Sequence, residues 1–197
     1  MNETAPSLIL ASGSAHRARL LERLGLPFSQ DPPDIDESPV AGEEPARLAV
    51  RLAREKASVV AARHPGAIVI GSDQVAMRDG RALGKPASAE AAREQLAASA
   101  GKEMEFLTAV CVLPADRERE PEEHMDITRV VFRPLDHGMI GRYISRDHPL
   151  DCAGSFRSES LGIALVERID SHDPTALVGL PLIWLSGALA RLGLPAL

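Results

Sequence analysis

Apolar residues follow two alternating rhythms along the chain. Short runs are apolar throughout, as buried strands are. Longer stretches repeat apolar residues every three or four positions, as helices with one buried face do. Ser7–Ala11 (SLILA) reads as a buried strand leading through Ser12–Gly13–Ser14 into a helix over Ala15–Leu24, closed by Gly25 and Pro27. Asp31–Pro45, rich in prolines and acids, reads as irregular, and a second helix spans Glu44–Arg63. Ala67–Ile70 is a short buried strand continuing through Gly71–Gln74 into Val75–Met77, and Asp79–Gly80 is the strongest hairpin signal in the chain. A helix over Ser88–Ala98 precedes two strands, Glu105–Leu113 and Asp126–Phe132, joined by an exposed charged loop, Asp116–Glu123. The rest reads as a helix over Asp136–Ser145, a strand over Gly162–Arg168 and a closing helix over Leu180–Leu192. Alternation of the two periods predicts an α/β protein. No repeat or linker interrupts residues 1–197, so one folded unit is expected, with room for two lobes.

Composition narrows the function. The chain holds one Trp, one Tyr and four Phe, so core volume must come from aliphatic residues and few rings remain to stack on bases. A net charge of −6 without any basic run argues against a polynucleotide partner and leaves small anions open, provided cations cluster locally. Cys111 and Cys152 match no zinc spacing and read as reduced thiols. Met1–Leu10 lacks the pattern of a leader, and no apolar run reaches the ~20 residues of a membrane helix, so a cytoplasmic location is expected.

Several polar residues fit a purely structural role poorly. Ser14 is placed to cap a helix whose outward N–H groups favour an anion. Arg17 shares a stripe with Leu20, Leu21 and Leu24, so it must snorkel, pair with an acid or hold a ligand. Lys56 falls on the stripe of Ala49, Leu52, Ala53 and Val60, opposite Arg47, Arg51 and Arg54. It must meet an acid at the core's edge or point into a cleft. Asp73 sits just beyond an apolar strand, where α/β sheets tend to place their chemistry. With a two-residue turn at Asp79–Gly80, Gln74 faces Lys85 across the hairpin. Strict alternation then puts Asp73 and Lys85 on opposite faces unless a bulge at Gly84 intervenes. Asp36 and Glu37 are either solvated loop acids or ligands for a hard cation. Neither a Walker-type loop nor a dinucleotide fingerprint occurs, which disfavours a kinase or a Rossmann dehydrogenase.

Taken together, these stretches resemble the Maf family of nucleotide pyrophosphatases. The resemblance runs nearly end to end, through LILASGSAHRARLLERLGLPF, PDIDESP, RLAREKA, IVIGSDQVA, DGRALGKP, HPLDCAGSFRSES and LVGLPLIWL. Ser72–Gln74 and Gly154–Glu159 are similar to the branch acting on 7-methyl-GTP. The branch acting on dTTP and UTP instead carries a Thr beside the aspartate and a Gln in the later motif. The resemblance implies an elongated mixed β-sheet flanked by helices, in two lobes around a nucleotide cleft. Its implied activity cuts a nucleoside triphosphate between the α- and β-phosphates, using a divalent cation (Mg2+ or Mn2+), in a family whose members commonly form homodimers. Asp73 would be the catalytic acid/base, and Ser12, Arg17, Glu37, Lys56 and Lys85 the supporting polar groups, with Glu37 and Asp73 at the metal. His16, Gln74 and Glu159 would tune base choice. Two positions depart from the branch, His16 standing where a Trp is usual and Ala18 where a second arginine is. Rival readings are a dTTP/UTP pyrophosphatase and a non-catalytic nucleotide-binding regulator of cell division or septum formation.

Overall fold

The fold is built around one long strand. The computed structural model describes residues 6–197, so the first half of the Met1–Leu10 stretch lies outside it. The elements are β1 (Leu8–Ala11), α1 (Ala15–Glu22), β2 (Phe28–Gln30), α2 (Pro45–Arg63), β3 (Ile68–Arg78), β4 (Arg81–Leu83), α3 (Ala89–Ser99), β5 (Glu103–Leu113), β6 (Glu122–Phe132), α4 (His137–Asp147), β7 (Val166–Asp170) and α5 (Leu182–Arg191). The seven strands form one mixed sheet in the order β2-β1-β3-β5-β6-β7, with β4 beside β3. Among the described residues, only the β1–β2 and β1–β3 pairs are parallel. Helices flank this sheet, as the α/β reading and the family resemblance expected.

Strand alternation sorts the β3 side chains between two layers. Val69 and Val75 pack with Leu52, Ala53 and Ala57 of α2. Ile68 and Ile70 face the other way, against Leu21 of α1 and Leu185 and Leu189 of α5. A third cluster, around Phe106, Phe132, Leu96 and Ile140, fills the far end under α3 and α4. The α2 layer is thin because its buried face is largely alanine and because β3 offers Gly71. A Cβ there would lie 2.2 Å from the Ala53 carbonyl oxygen and 2.6 Å from the Ala57 nitrogen. Glycine is needed at this crossing, since any side chain would lever α2 off the sheet.

Asp79 and Gly80 both take positive φ (51° and 74°), as a tight hairpin turn with right-handed twist requires. Arg78 pairs with Arg81 and Ala76 with Leu83, so the two-residue turn is as expected.

Three expectations need correction. β6 begins at Glu122, because the polar stretch Glu122–Met125 pairs with Val112–Ala109 of β5, and the charged loop before it is correspondingly shorter. Of the strand expected over Gly162–Arg168, only Val166–Arg168 is extended. Leu161–Leu165 forms 3-10 turns and β7 starts only at Val166. Gly162 packs so tightly against Arg157 that a Cβ would sit 2.2 Å from the Arg157 carbonyl oxygen, and an extended strand could not fold back so closely. Finally, β2 pairs with β1 where no strand was expected.

Candidate active site

A cleft opens where β3 loses a neighbour. On the edge away from β5, β1 pairs with Ile68–Gly71 and β4 with Ala76–Arg78. Between them Ser72–Val75 has no ladder partner on that edge. A cavity of about 880 Å³ lies over this gap, large enough for a nucleotide. Ser12, His16, Arg17, Glu37, Lys56, Asp73, Gln74, Lys85 and Glu159 all line it. Asp36, also singled out from the sequence, does not; it is exposed and its Oδ1 accepts the Ser38 N–H at 2.9 Å, so only Glu37 of that pair of acids reaches the cleft.

The same alternation that builds the layers distributes the chemistry. Asp73, two residues beyond Gly71, points to the α2 side, where the close approach of α2 brings Lys56 to it. Lys56 Nζ donates to Asp73 Oδ1 at 2.6 Å and lies 2.6 Å from Glu37 Oε1. Lys56 is 5% exposed and Asp73 7%. An ammonium on an otherwise apolar helix face is thus neutralised by two carboxylates, as buried charge requires. Glu37 is half exposed. Desolvation, the largest single influence, pushes its carboxyl up. The Lys56 hydrogen bond and the charges of Lys56, Lys85 and Arg17 outweigh it, and the carboxyl lies below its ordinary range.

Ser72 and Gln74 point to the other face. There the segment joining β7 to α5 crosses the sheet and presents its carbonyls. Ser72 Oγ lies 2.8 Å from the Ala109 carbonyl and 2.9 Å from that of Gly179. Gln74 Nε2 donates to the carbonyls of Ala176 and Leu177 at 3.1 and 3.0 Å. Ser14 Oγ accepts the Arg17 N–H and caps α1, while Ser12 Oγ accepts the Ser14 N–H at 3.1 Å. Arg17 is partly buried. Its Nε donates to the Gly179 carbonyl at 3.1 Å and its Nη1 to Ser12 Oγ at 3.5 Å. Desolvation lowers the guanidinium from its ordinary value, and Asp73 and Glu37 pull it back. At the rim, His16 Nδ1 lies 3.0 Å from Glu159 Oε1.

Lys85 reaches the cavity by a simpler route than a bulge. The β3–β4 ladder stops at Leu83, so Lys85 is free of strand alternation, exposed and at the rim.

The model describing Maf-like proteins matches residues 7–192. The chain belongs to the Maf family. Among curated Maf relatives, the 7-methyl-GTP pyrophosphatase of Xanthomonas oryzae pv. oryzae is 54% identical over 187 residues, covering 95% of each chain. That of Bordetella avium is 50% identical over 192 residues, or 98% of this chain and 96% of the relative. Among solved structures, a HAM1 protein from Coxiella burnetii matches 66% of this chain and 74% of its own, at 18% identity and a TM-score of 0.45.

Two carboxylates converging on one ammonium, one of them half exposed in the cavity, suit a hard divalent cation that takes its remaining ligands from phosphate and water. Among the described residues no group of three or more His, Cys, Asp or Glu could hold a metal unaided. In this Maf chain, sequence reasoning missed Gly179, whose carbonyl receives both Arg17 and Ser72, and Gly71, whose missing side chain lets Lys56 reach Asp73. A glycine says nothing of the close contact it serves until its neighbours are known. No helix among the described residues is long and apolar enough to cross a membrane.

Proposed function

We propose that this protein is a nucleoside-triphosphate pyrophosphatase that hydrolyses 7-methyl-GTP between its α- and β-phosphates, releasing the monophosphate and pyrophosphate. The observation that carries this reading is the convergence of Arg17, Lys56 and Lys85 with Glu37 and Asp73 in one cleft. Phosphoryl transfer needs an oriented nucleophile and neutralisation of charge on the leaving group more than covalent chemistry. Asp73 orients and deprotonates the attacking water. Arg17, Lys56 and Lys85 hold phosphate oxygens and take up the charge of the departing pyrophosphate, while Gly13 and the first turn of α1 offer backbone N–H groups, those of Ser12 and Ser14 being taken by the Leu10 carbonyl and Ser12 Oγ. Lys56 has a second effect, since its contact with both acids lets a polyanion approach Asp73. Glu37 and Asp73 would hold Mg2+ or Mn2+. That ion supplies charge neutralisation and polarisation of the phosphate.

The 7-methyl-GTP reading rests on the names of the relatives and on Glu159 at the rim. A carboxylate can accept both N–H groups of guanine's Watson–Crick edge, and it favours the cationic ring that N7 methylation creates. Gln74 influences base choice from behind, since its amide nitrogen is committed to the Ala176 and Leu177 carbonyls. The test is pyrophosphate release from a panel of 7-methyl-GTP, GTP, dTTP and UTP with Mg2+ or Mn2+. Release from 7-methyl-GTP ahead of the pyrimidines supports the proposal, and binding without release would favour a regulator.

A further inference from the structure

The segment between β7 and α5 contains polar side chains that the proposed chemistry does not use, and they are knotted together out of solvent. Asp173 is 3% exposed and Thr175 9%. Asp173 Oδ1 accepts the Thr175 N–H at 2.9 Å, and Oδ2 accepts the Ile183 N–H in the first turn of α5 at 2.7 Å. Thr175 Oγ1 shares its proton between Asp173 Oδ1 (2.6 Å) and the Leu180 carbonyl (2.8 Å), and accepts the Leu182 N–H at 2.9 Å. One carboxylate and one hydroxyl therefore tie both ends of an excursion whose middle carries Gly179. That glycine has a φ of 124°, and a Cβ on it would meet Arg17 Nε at 3.1 Å. Its carbonyl accepts Arg17 Nε on one side and lies 2.9 Å from Ser72 Oγ on the other. Neither Asp173 nor Thr175 lines the cleft.

We propose that the Asp173–Thr175 clamp is a positioning device for Arg17. It fixes the Gly179 carbonyl, which holds the Nε edge of the guanidinium; with one Nη1 hydrogen directed to Ser12 Oγ at 3.5 Å, Nη2 and the second Nη1 hydrogen remain for phosphate. An arginine held by one N–H in a rigid acceptor loses less freedom on binding an anion than a free one. The inference rests on Arg17 being a phosphate ligand, as proposed above.

The test is a double-mutant cycle between Thr175→Val and Arg17→Lys. It is read as affinity for inorganic tripolyphosphate by calorimetry, with melting temperature measured alongside. Lysine keeps the cation but has no Nε–H for Gly179 to hold. Thr175→Val should weaken tripolyphosphate binding about tenfold with Arg17 present and less than about twofold with lysine there, while its effect on melting temperature stays the same in both backgrounds. Thr175→Ser, which keeps the hydroxyl, should bind as the wild type does. Ser72→Ala removes the other partner of the same carbonyl, carries the same prediction, and stands in if Thr175→Val does not fold. Equal losses in both backgrounds, or no binding of tripolyphosphate by the wild-type protein, would overturn the inference. A wild type that shows the coupling but releases no pyrophosphate would sink the enzymatic reading and leave the clamp intact.

Discussion

The Lys56 ammonium and the Asp73 carboxylate meet at 2.6 Å across the interface of α2 and β3, both nearly shielded from water. Their meeting depends on backbone packing, because Gly71 lets α2 lie directly on the strand two residues before Asp73. Removing one member of such a pair leaves the other buried without compensation. Lys56→Met should therefore lower stability by about 3–5 kcal/mol, in addition to lowering turnover. Chemical denaturation of Lys56→Met beside Asp73→Asn reads this out. The account expects the lysine variant to be the less stable, because asparagine can still accept from Lys56 and places no charge next to Glu37.

Metal dependence follows from Glu37. Its carboxyl is held below the ordinary range by Lys56, Lys85 and Arg17, so it remains ionised through the neutral range and into mild acid. A chelator should abolish pyrophosphate release and Mg2+ or Mn2+ should restore it. Glu37→Gln should raise the metal concentration for half-maximal rate by about tenfold, on the scale of losses at perturbed metal sites. An unchanged metal requirement in that variant would remove Glu37 from the site.

Base choice is exposed to the contact between His16 and Glu159. His16 Nδ1 stands 3.0 Å from Glu159 Oε1, so the acid proposed to read the guanine edge already has a partner. A histidine also offers a cationic base less attraction than a large aromatic ring does. His16→Trp should increase the preference for 7-methyl-GTP over GTP by several-fold, measured as the ratio of kcat/KM for the two substrates. An unchanged ratio would count against a role for position 16 in reading the base.

Away from the cleft, Asp126 predicts how stability responds to pH. Desolvation, then the neighbouring Asp173 carboxylate, raises its pKa, while His124, Thr128 and His172 pull the other way. The folded protein thus holds this proton more tightly than the unfolded chain does. The resulting stability is fully present below the unfolded pKa and is lost as pH rises through the folded one. Asp126→Asn should therefore raise the melting temperature at pH 7, by about 2–4 °C per kcal/mol recovered, with the gain shrinking toward pH 4. A gain that grows on acidification would contradict the assignment.

Much of this was legible in the sequence, for reasons that differ by residue. Lys56 on an alanine and leucine stripe betrayed itself because a lysine there must find an acid or a cleft, and it has both. The Asp79–Gly80 hairpin was readable because both turn positions need positive φ. What escaped depended on contacts far apart in sequence. β2 has three residues with two exposed side chains and exists only because β1 offers it an edge. Gly162–Arg168 carries a strand's composition, yet Gly162 is pressed onto the Arg157 carbonyl and the chain turns there instead. The Asp173–Thr175 clamp looks in sequence like any polar loop. Its meaning lies in an acceptor, Gly179, that serves an arginine 162 positions away.

The most direct test of the central claim is pyrophosphate release from 7-methyl-GTP by the wild-type protein and by Asp73→Asn, with Mg2+ or Mn2+ present. The account predicts pyrophosphate and monophosphate in equal amounts, and turnover at least about a hundredfold lower in the variant, the scale of a lost acid–base group. Inorganic phosphate as the product, or near-normal turnover by Asp73→Asn, would contradict it.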